Sequence, residues 1–222
     1  MQGEVPAMLK KHLILIITLI LVSSSIISAQ QIVPLPVPKI RGELMKALKN
    51  RATFRKFSTC ELTQQTLSEV LWAAYGVNND RTGRRTVATA FNIREMLVYV
   101  LTKNGGFRYD ANNQALVQVT GEDIREFVAT QDYAENVPVH LIYVADYNMS
   151  IEQSPKWAHS FVEGYSLMHT GQIAQNVYLY CAANDLGTIV RDVVNKDDIG
   201  EKLKLKEKQK IIASQIIGYP MK

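Results

Sequence analysis

AHSFVEGYSLMHTGQIAQNVYLYCAAN, residues 158–184, is the stretch that organises this chain. Pro155 and Lys156 precede it, and no proline interrupts it. A helix over this length, rising about 1.5 Å per residue, spans about 40 Å. Its residues are apolar nearly all round, and Gly164, Gly171 and Ala174 are small. A helix without a polar face is expected to be central rather than peripheral.

The segments on either side predict shorter elements. Glu43–Lys49 reads as a short helix. Thr63 can cap a helix that runs through Tyr75, with Val70, Leu71 and Ala74 on one apolar face and Gly76 as its stop. Residues 77–89 read as a polar, basic loop. Met96–Thr102 (MLVYVLT) is β-rich, Gly105 and Gly106 read as a turn, and 107–110 with 115–119 read as a hairpin beyond it. Residues 123–130 are expected to be helical. Residues 139–145 (VHLIYVA) form a nearly continuous apolar run, which suits a strand buried on both faces. A strand at 186–190, a helix at 196–203 and a last strand at 211–217 complete the order. Helices and strands mix without strict alternation. That pattern predicts an α+β fold, a mostly antiparallel central sheet flanked by helices.

The first 29 residues stand apart. Lys10 and Lys11 precede an apolar run from Leu13 to Val22, then small polar residues to Ala29. This is the order of a signal peptide with an upstream extension before Met8. It predicts an exported protein, periplasmic or extracellular, with a retained membrane anchor as the alternative. The apolar run is about ten residues, short of the roughly twenty that span a bilayer. Residues 30–42 hold Pro34, Pro36 and Pro38 and read as a proline-rich linker or arm. The folded domain is expected over 43–222.

Composition removes several function classes. Of the 222 residues 47% are hydrophobic and 21% charged, an ordinary globular balance. A net charge of +4 is too weak a field to argue for nucleic acid. The lysines from 202 to 210 form a basic stretch interrupted by Glu201 and Glu207, with no aromatic among them, which reads as a solvated face. No glycine spacing matches a dinucleotide fingerprint or a P-loop. No histidine spacing implies a metal site. Ser166 fails the G-x-S-x-G pattern because Met168 follows it. Two cysteines make no disulfide framework. Cys181 reads as a small core residue, and its pairing with Cys60 stays open.

Two segments carry chemistry. In Arg51-Ala52-Thr53-Phe54-Arg55-Lys56-Phe57, two arginines four apart flank a hydroxyl. The guanidinium fork matches phosphate oxygens, and a hydroxyl adds a hydrogen bond. By itself this is an anion site or a solvated basic turn. In the second, Arg81, Arg84 and Arg85 lead through small residues to Asn92, just before a strand. An asparagine can donate and accept, as reading a heterocycle edge requires.

Taken together, the motifs resemble the nitroreductase family of FMN-dependent oxidoreductases over about residues 43–222. Arg51, Thr53, Arg55 and Phe57 match the family's R-x-S-x-R-x-F, with Thr for Ser. Leu71, Ala73 and Ala74 match L-x-A-A. Residues 88–94 (ATAFNIR) stand where the family has P-S-x-x-N-x-Q, keeping Asn92 but carrying Ala88 and Arg94. Residues 185–190 (DLGTIV) stand for G-L-G-T-x-P, with Val190 for Pro, and the chain ends GYPMK.

The resemblance implies a homodimer with FMN at the interface and the long helix within it. It implies that Arg51, Thr53 and Arg55 hold the phosphate and ribityl end, with Ala52 contributing backbone. Asn92 would face the isoalloxazine ring. The backbone of Val190, Arg191 and Asp192 would pass the ring, and Lys222 is a further phosphate contact. No catalytic side chain is implied, because the flavin carries the chemistry. The implied reaction is ping-pong hydride transfer from NAD(P)H to a small acceptor such as a nitroaromatic or quinone. Ala88, Arg94 and Val190 depart from the family near the ring, which leaves a flavin-binding module without turnover as the alternative. A nucleic-acid or anion-binding role for Arg81–Arg85 is a third reading.

Overall fold

The computed structural model describes residues 41–129, 131–149, 159–193 and 195–221. The expected signal peptide, most of the proline-rich arm, the start of the long helix at Ala158 and Lys222 lie outside the described residues.

Two helices open the domain, α1 (Glu43–Asn50) and α2 (Gln64–Tyr75). Thr63 caps α2 as its sequence requires: its Oγ1 accepts the Thr66 N–H at 3.0 Å. Gly76 ends the helix for want of space rather than for a left-handed turn. Its φ is −69°, and a Cβ there would sit 2.5 Å from Trp72 Cδ1. The segment 77–89 is not all loop, as expected, but starts with a small hairpin of β1 (Val77–Asn79) and β2 (Arg84–Arg85). Asn79 Oδ1 accepts from both Thr82 N–H and Thr82 Oγ1, and Gly83 takes φ +64°, so local turn chemistry closes the hairpin.

The main sheet has six strands: β3 (Met96–Thr102), β4 (Gly105–Asp110), β5 (Ala115–Thr120), β6 (Val139–Asp146), β7 (Gly187–Arg191) and β8 (Gln209–Gly218). Their order is β5-β4-β3-β6-β8-β7, and every pairing among them is antiparallel. Gly105 and Gly106 belong to β4 rather than to the turn, because Gly105 pairs with Thr102 across Lys103 and Asn104. Gly105 holds φ +122°, and a Cβ there would meet the Thr120 carbonyl at 2.3 Å. The expected helix at 123–130 shrinks to a 3-10 turn, Arg125–Phe127. Asp123 binds the Arg125 guanidinium at 2.7 Å and its backbone N–H at 3.1 Å, and Arg125 Nη1 donates to Val137 O at 3.1 Å. Side-chain bonds thus compete there with helical ones.

The long helix α3 (His159–Ala183) and a short α4 (Lys196–Lys202) complete the domain. β6 is buried along its whole length, with apolar side chains on both faces. On one face Val98, Val100, Leu141, Tyr143 and Ala145 pack with Val70, Leu71 and Ala74 of α2 and Ile173, Val177 and Cys181 of α3. On the other, Tyr99, Leu101, Ile142 and Val144 pack with Ile124, Val128, Ile199 and Leu203. Burying an aliphatic side chain contributes about 1.5–3 kcal/mol, so these two layers dominate stability. Cys60 is exposed and Cys181 buried, and both are free. Burial pushes the Cys181 thiol up, which keeps it protonated and inert.

Candidate functional site

The chain leaves α1 at Arg51 and runs extended along one end of the sheet. The Phe54 N–H donates to Thr188 O at 3.2 Å, the Ser58 N–H to Tyr219 O at 2.8 Å, and the Met221 N–H to Lys56 O at 3.1 Å. Phe57 is buried beside two glycines. A Cβ on Gly187 would stand 3.1 Å from Phe57 Cε1, and one on Gly218 3.3 Å from its Cδ1. The phenylalanine of the motif is therefore its anchor, and residues 51–55 are held against β7.

This anchoring brings Arg51 and Thr53 to one side chain that sequence reasoning missed. Tyr178 of α3 accepts the Val190 N–H at 3.1 Å on its phenol oxygen. Its hydroxyl also shares a hydrogen bond with Thr53 Oγ1, 3.3 Å away, in which either oxygen can donate. The Arg51 guanidinium lies over its ring, 5.4 Å from the centroid. Tyr178 thus ties the first motif to the backbone at Val190. Its only sequence signal is a polar tip on the buried face of a long helix, which is too common to single it out.

Arg51, Thr53 and Arg55 are exposed, and Ala52 lies half-buried between them. Among the described residues neither arginine has a carboxylate partner. The arginines and the hydroxyl thus form a donor set without a counter-ion, the chemistry a phosphate dianion needs.

The residues after Val190 divide. Arg191 turns inward: its Nη2 donates to Val128 O at 2.6 Å, and its guanidinium lies 5.8 Å from the Tyr133 ring centroid. Only its backbone stays with β7 at the site. Asp192 is exposed, and its Oδ1 accepts from Lys196 Nζ at 3.1 Å. The Lys196 hydrogen bond holds that carboxyl below its usual range. His140 lies fully buried near Arg191. Burial, then the Arg191 and Arg125 charges, push it down to about 3, so it is neutral near pH 7.

Asn92 stands elsewhere. Ala90, two residues before it, donates its N–H to His169 Nε2 at 2.9 Å. His169 and Tyr178 are nine positions apart on α3, about 13.5 Å along its axis. A single chain therefore does not bring Asn92 to the arginine group. Asn92 Oδ1 accepts from Arg94 Nε at 2.8 Å, and Arg94 Nη2 donates to Thr82 O at 3.3 Å. Phe91, Asn92 and Arg94 have φ of +51°, +59° and +56°. Left-handed backbone at non-glycine residues costs about 1–3 kcal/mol each and persists only where surroundings impose it. Of the three loop arginines, Arg85 lies over the Tyr75 ring at 5.2 Å and donates to Asn112 Oδ1, while Arg81 and Arg84 are exposed.

The long helix is central, as expected: α3 packs against α1, α2, β3, β7 and β8. One face packs on the domain, but Gly164, Leu167, Met168, Gly171 and Gln175 form an open stripe. Leu167 is 57% exposed and Met168 48%, and nothing lies within 4 Å of a Cβ built on either glycine. Phe91 and Val190 are exposed as well.

Comparison with known proteins agrees with this architecture. The model of the nitroreductase family matches residues 48–219. A protein of Methanocaldococcus jannaschii named as a candidate nitroreductase is 29% identical over 175 residues, 74% of this chain and 86% of that protein. The crystal structure of a candidate nitroreductase from Ralstonia eutropha superposes with a TM-score of 0.75 at 33% identity, covering 85% of this chain and 88% of that one. An NADPH:FMN oxidoreductase of Vibrio harveyi shares the fold, with a TM-score of 0.59 at 15% identity over 82% of this chain and 70% of that one.

Proposed function

This chain belongs to the nitroreductase family of oxidoreductases, and from that premise we propose that it is an FMN-dependent enzyme moving hydride from NAD(P)H to a small acceptor such as a nitroaromatic or quinone. One observation carries the FMN reading: Arg51, Thr53 and Arg55 present donors and no acceptor charge, with Arg51 and Thr53 braced by Tyr178. Arg51 and Arg55 would meet the phosphate, and Thr53 would hold the ribityl end. Val190, Arg191 and Asp192 would flank the ring with backbone, and Asn92 would meet its edge. Lys222 would add a phosphate contact. When bound, FMN would supply the two-electron redox chemistry, while these residues bind and orient it.

The same reading makes the protein a homodimer. His169 and Tyr178, which hold the Asn92 loop and the phosphate-end residues, stand about 13.5 Å apart along α3, and beside His169 the helix leaves Leu167 and Met168 open. A second copy on that stripe would cover the apolar surface and bring its own Asn92 to the ring end. Obligate interfaces of this type bury about 2,000 Å² or more.

An absorbance spectrum of purified protein tests the cofactor. Bound FMN gives a yellow protein that NADPH bleaches without oxygen and a quinone recolours. Protein that stays colourless after incubation with FMN would sink the proposal. Bleaching by dithionite but not by NADPH would replace it with a flavin module that does not turn over on nicotinamide donors.

The domain of 43–222 is proposed to act outside the cytoplasm, after removal of residues 1–29 and tethered by no more than the arm at 30–42. The order of charge, apolar run and small residues in 8–29 supports this. N-terminal sequencing from the native compartment should begin within a few residues of Gln30. A chain that still starts at Met1 or Met8 would mean a retained anchor.

A further inference from the structure

Behind the loop that carries Asn92 lies a buried polar pair that no step above uses. Glu95 and His169 are both 0% exposed. His169 Nδ1 is 2.7 Å from Glu95 Oε1. Ser166 Oγ, also buried, lies 3.1 Å from the same oxygen and 3.0 Å from Val162 O. Glu95 Oε2 has no partner among the described residues.

The hydrogen bonds settle the imidazole tautomer. His169 Nε2 receives the Ala90 N–H at 2.9 Å. A backbone amide only donates, so Nε2 carries no proton. The ring proton is therefore on Nδ1 and is donated to Glu95. The chain of bonds has one direction: Ala90 N–H to His169, then His169 N–H to Glu95. Tyr165 stacks on the imidazole, 6.1 Å between centroids at 19°, and Phe91 meets Tyr165 edge-on at 6.0 Å.

This chain ends on the segment with the left-handed residues. Glu95 itself closes the segment, and its carbonyl accepts the Asp146 N–H at 2.8 Å, which ties it to the end of β6. Arg94 completes the hold by donating to Asn92 Oδ1. A guanidinium has no acceptor, so the carboxamide oxygen is the atom it meets, and the Asn92 NH₂ is left for a ligand. An apolar pair of similar volume would fill the space behind the loop without the desolvation that buried polar groups carry. A polar pair does what an apolar one cannot: it grips the Ala90 amide.

We infer that Glu95 and His169 are positioning residues: they fix the Ala90 amide, and with it the left-handed loop, so that Asn92 offers a donor to an acceptor edge of the flavin ring. The inference rests on the FMN reading for its ligand but not for the loop geometry, and the test separates the two.

Amide hydrogen exchange on the full chain without flavin addresses the geometry. The Ala90 amide should exchange at least tenfold slower than in an unstructured peptide. His169→Phe, which keeps a ring but no acceptor, should remove that protection across 88–94. Glu95→Gln keeps an oxygen for the Nδ1 proton and should retain it. With FMN added, His169→Phe should change the ratio of oxidised to reduced flavin affinity about tenfold, or about 30 mV for a two-electron couple. Glu95→Gln should leave it within twofold. A rapidly exchanging Ala90 amide in the unmodified protein overturns the inference, whether or not any variant folds. So does a folded His169→Phe protein with unchanged exchange and unchanged flavin potential. If the unmodified protein takes up no FMN, the cofactor reading fails while the exchange arm still decides the role of the pair in the loop.

Discussion

Arg51→Ala should yield a protein that stays folded and dimeric but is largely colourless. The FMN phosphate carries close to two negative charges, and a guanidinium fork meets it with charge-assisted hydrogen bonds. Removing one partner of a desolvated charged pair costs about 2–5 kcal/mol, or roughly 30- to several-thousand-fold in affinity. Arg51 caps α1 and lies over Tyr178, so the loss falls on the ligand side and not on the core. Arg55→Ala should act in the same direction and less completely, because among the described residues it has no aromatic platform to fix it. Arg84→Ala is the control, since it lies on β2 away from Tyr178. Flavin released per subunit after denaturation is the readout. Full flavin in both Arg51→Ala and Arg55→Ala would mean that the site lies elsewhere.

Leu167→Glu should halve the mass seen by light scattering. The side chain is 57% exposed on the open stripe of α3, beside Met168 and between two glycines with free space. In a dimer packed through this stripe, the change would bury a carboxylate without a partner on each copy. Such groups cost several kcal/mol, enough to weaken association by about a hundredfold or more. The flavin should leave with the partner, because Asn92 and the arginines then no longer share a site. Val117→Glu is the comparison: it is similarly exposed, at 43%, but on edge strand β5. Its mass should stay that of the dimer. A Leu167→Glu protein that stays dimeric and yellow would place the interface elsewhere.

Much of the architecture was legible before any coordinates. The even apolar run of β6 declared a strand buried on both faces, and the structure buries all eight of its residues. Thr63 and Gly76 bounded α2 because capping and close contact are local effects. The errors were also local in origin. The 123–130 helix yielded to Asp123–Arg125 bonds, and the 77–89 loop concealed a two-residue ladder set by Asn79, Thr82 and Gly83. The long apolar helix is central as its composition implies, packed on α2 and the sheet, with a second face left open. Hydrophobic periodicity cannot tell a helix enclosed by its own domain from one with an open face.

The sequence by itself determined the α+β class and marked two segments rich in hydrogen-bond donors, because residue spacing encodes local conformation and donor type. The tertiary structure alone decided which of those residues meet. Tyr178 joins Thr53 to Val190 across 125 and 12 positions of chain, and His169 reaches Ala90 across 79. Such contacts depend on how α3 lies against β7 and the 88–94 loop. That placement follows from the packing of whole faces, a sum over many weak contacts that no short motif contains.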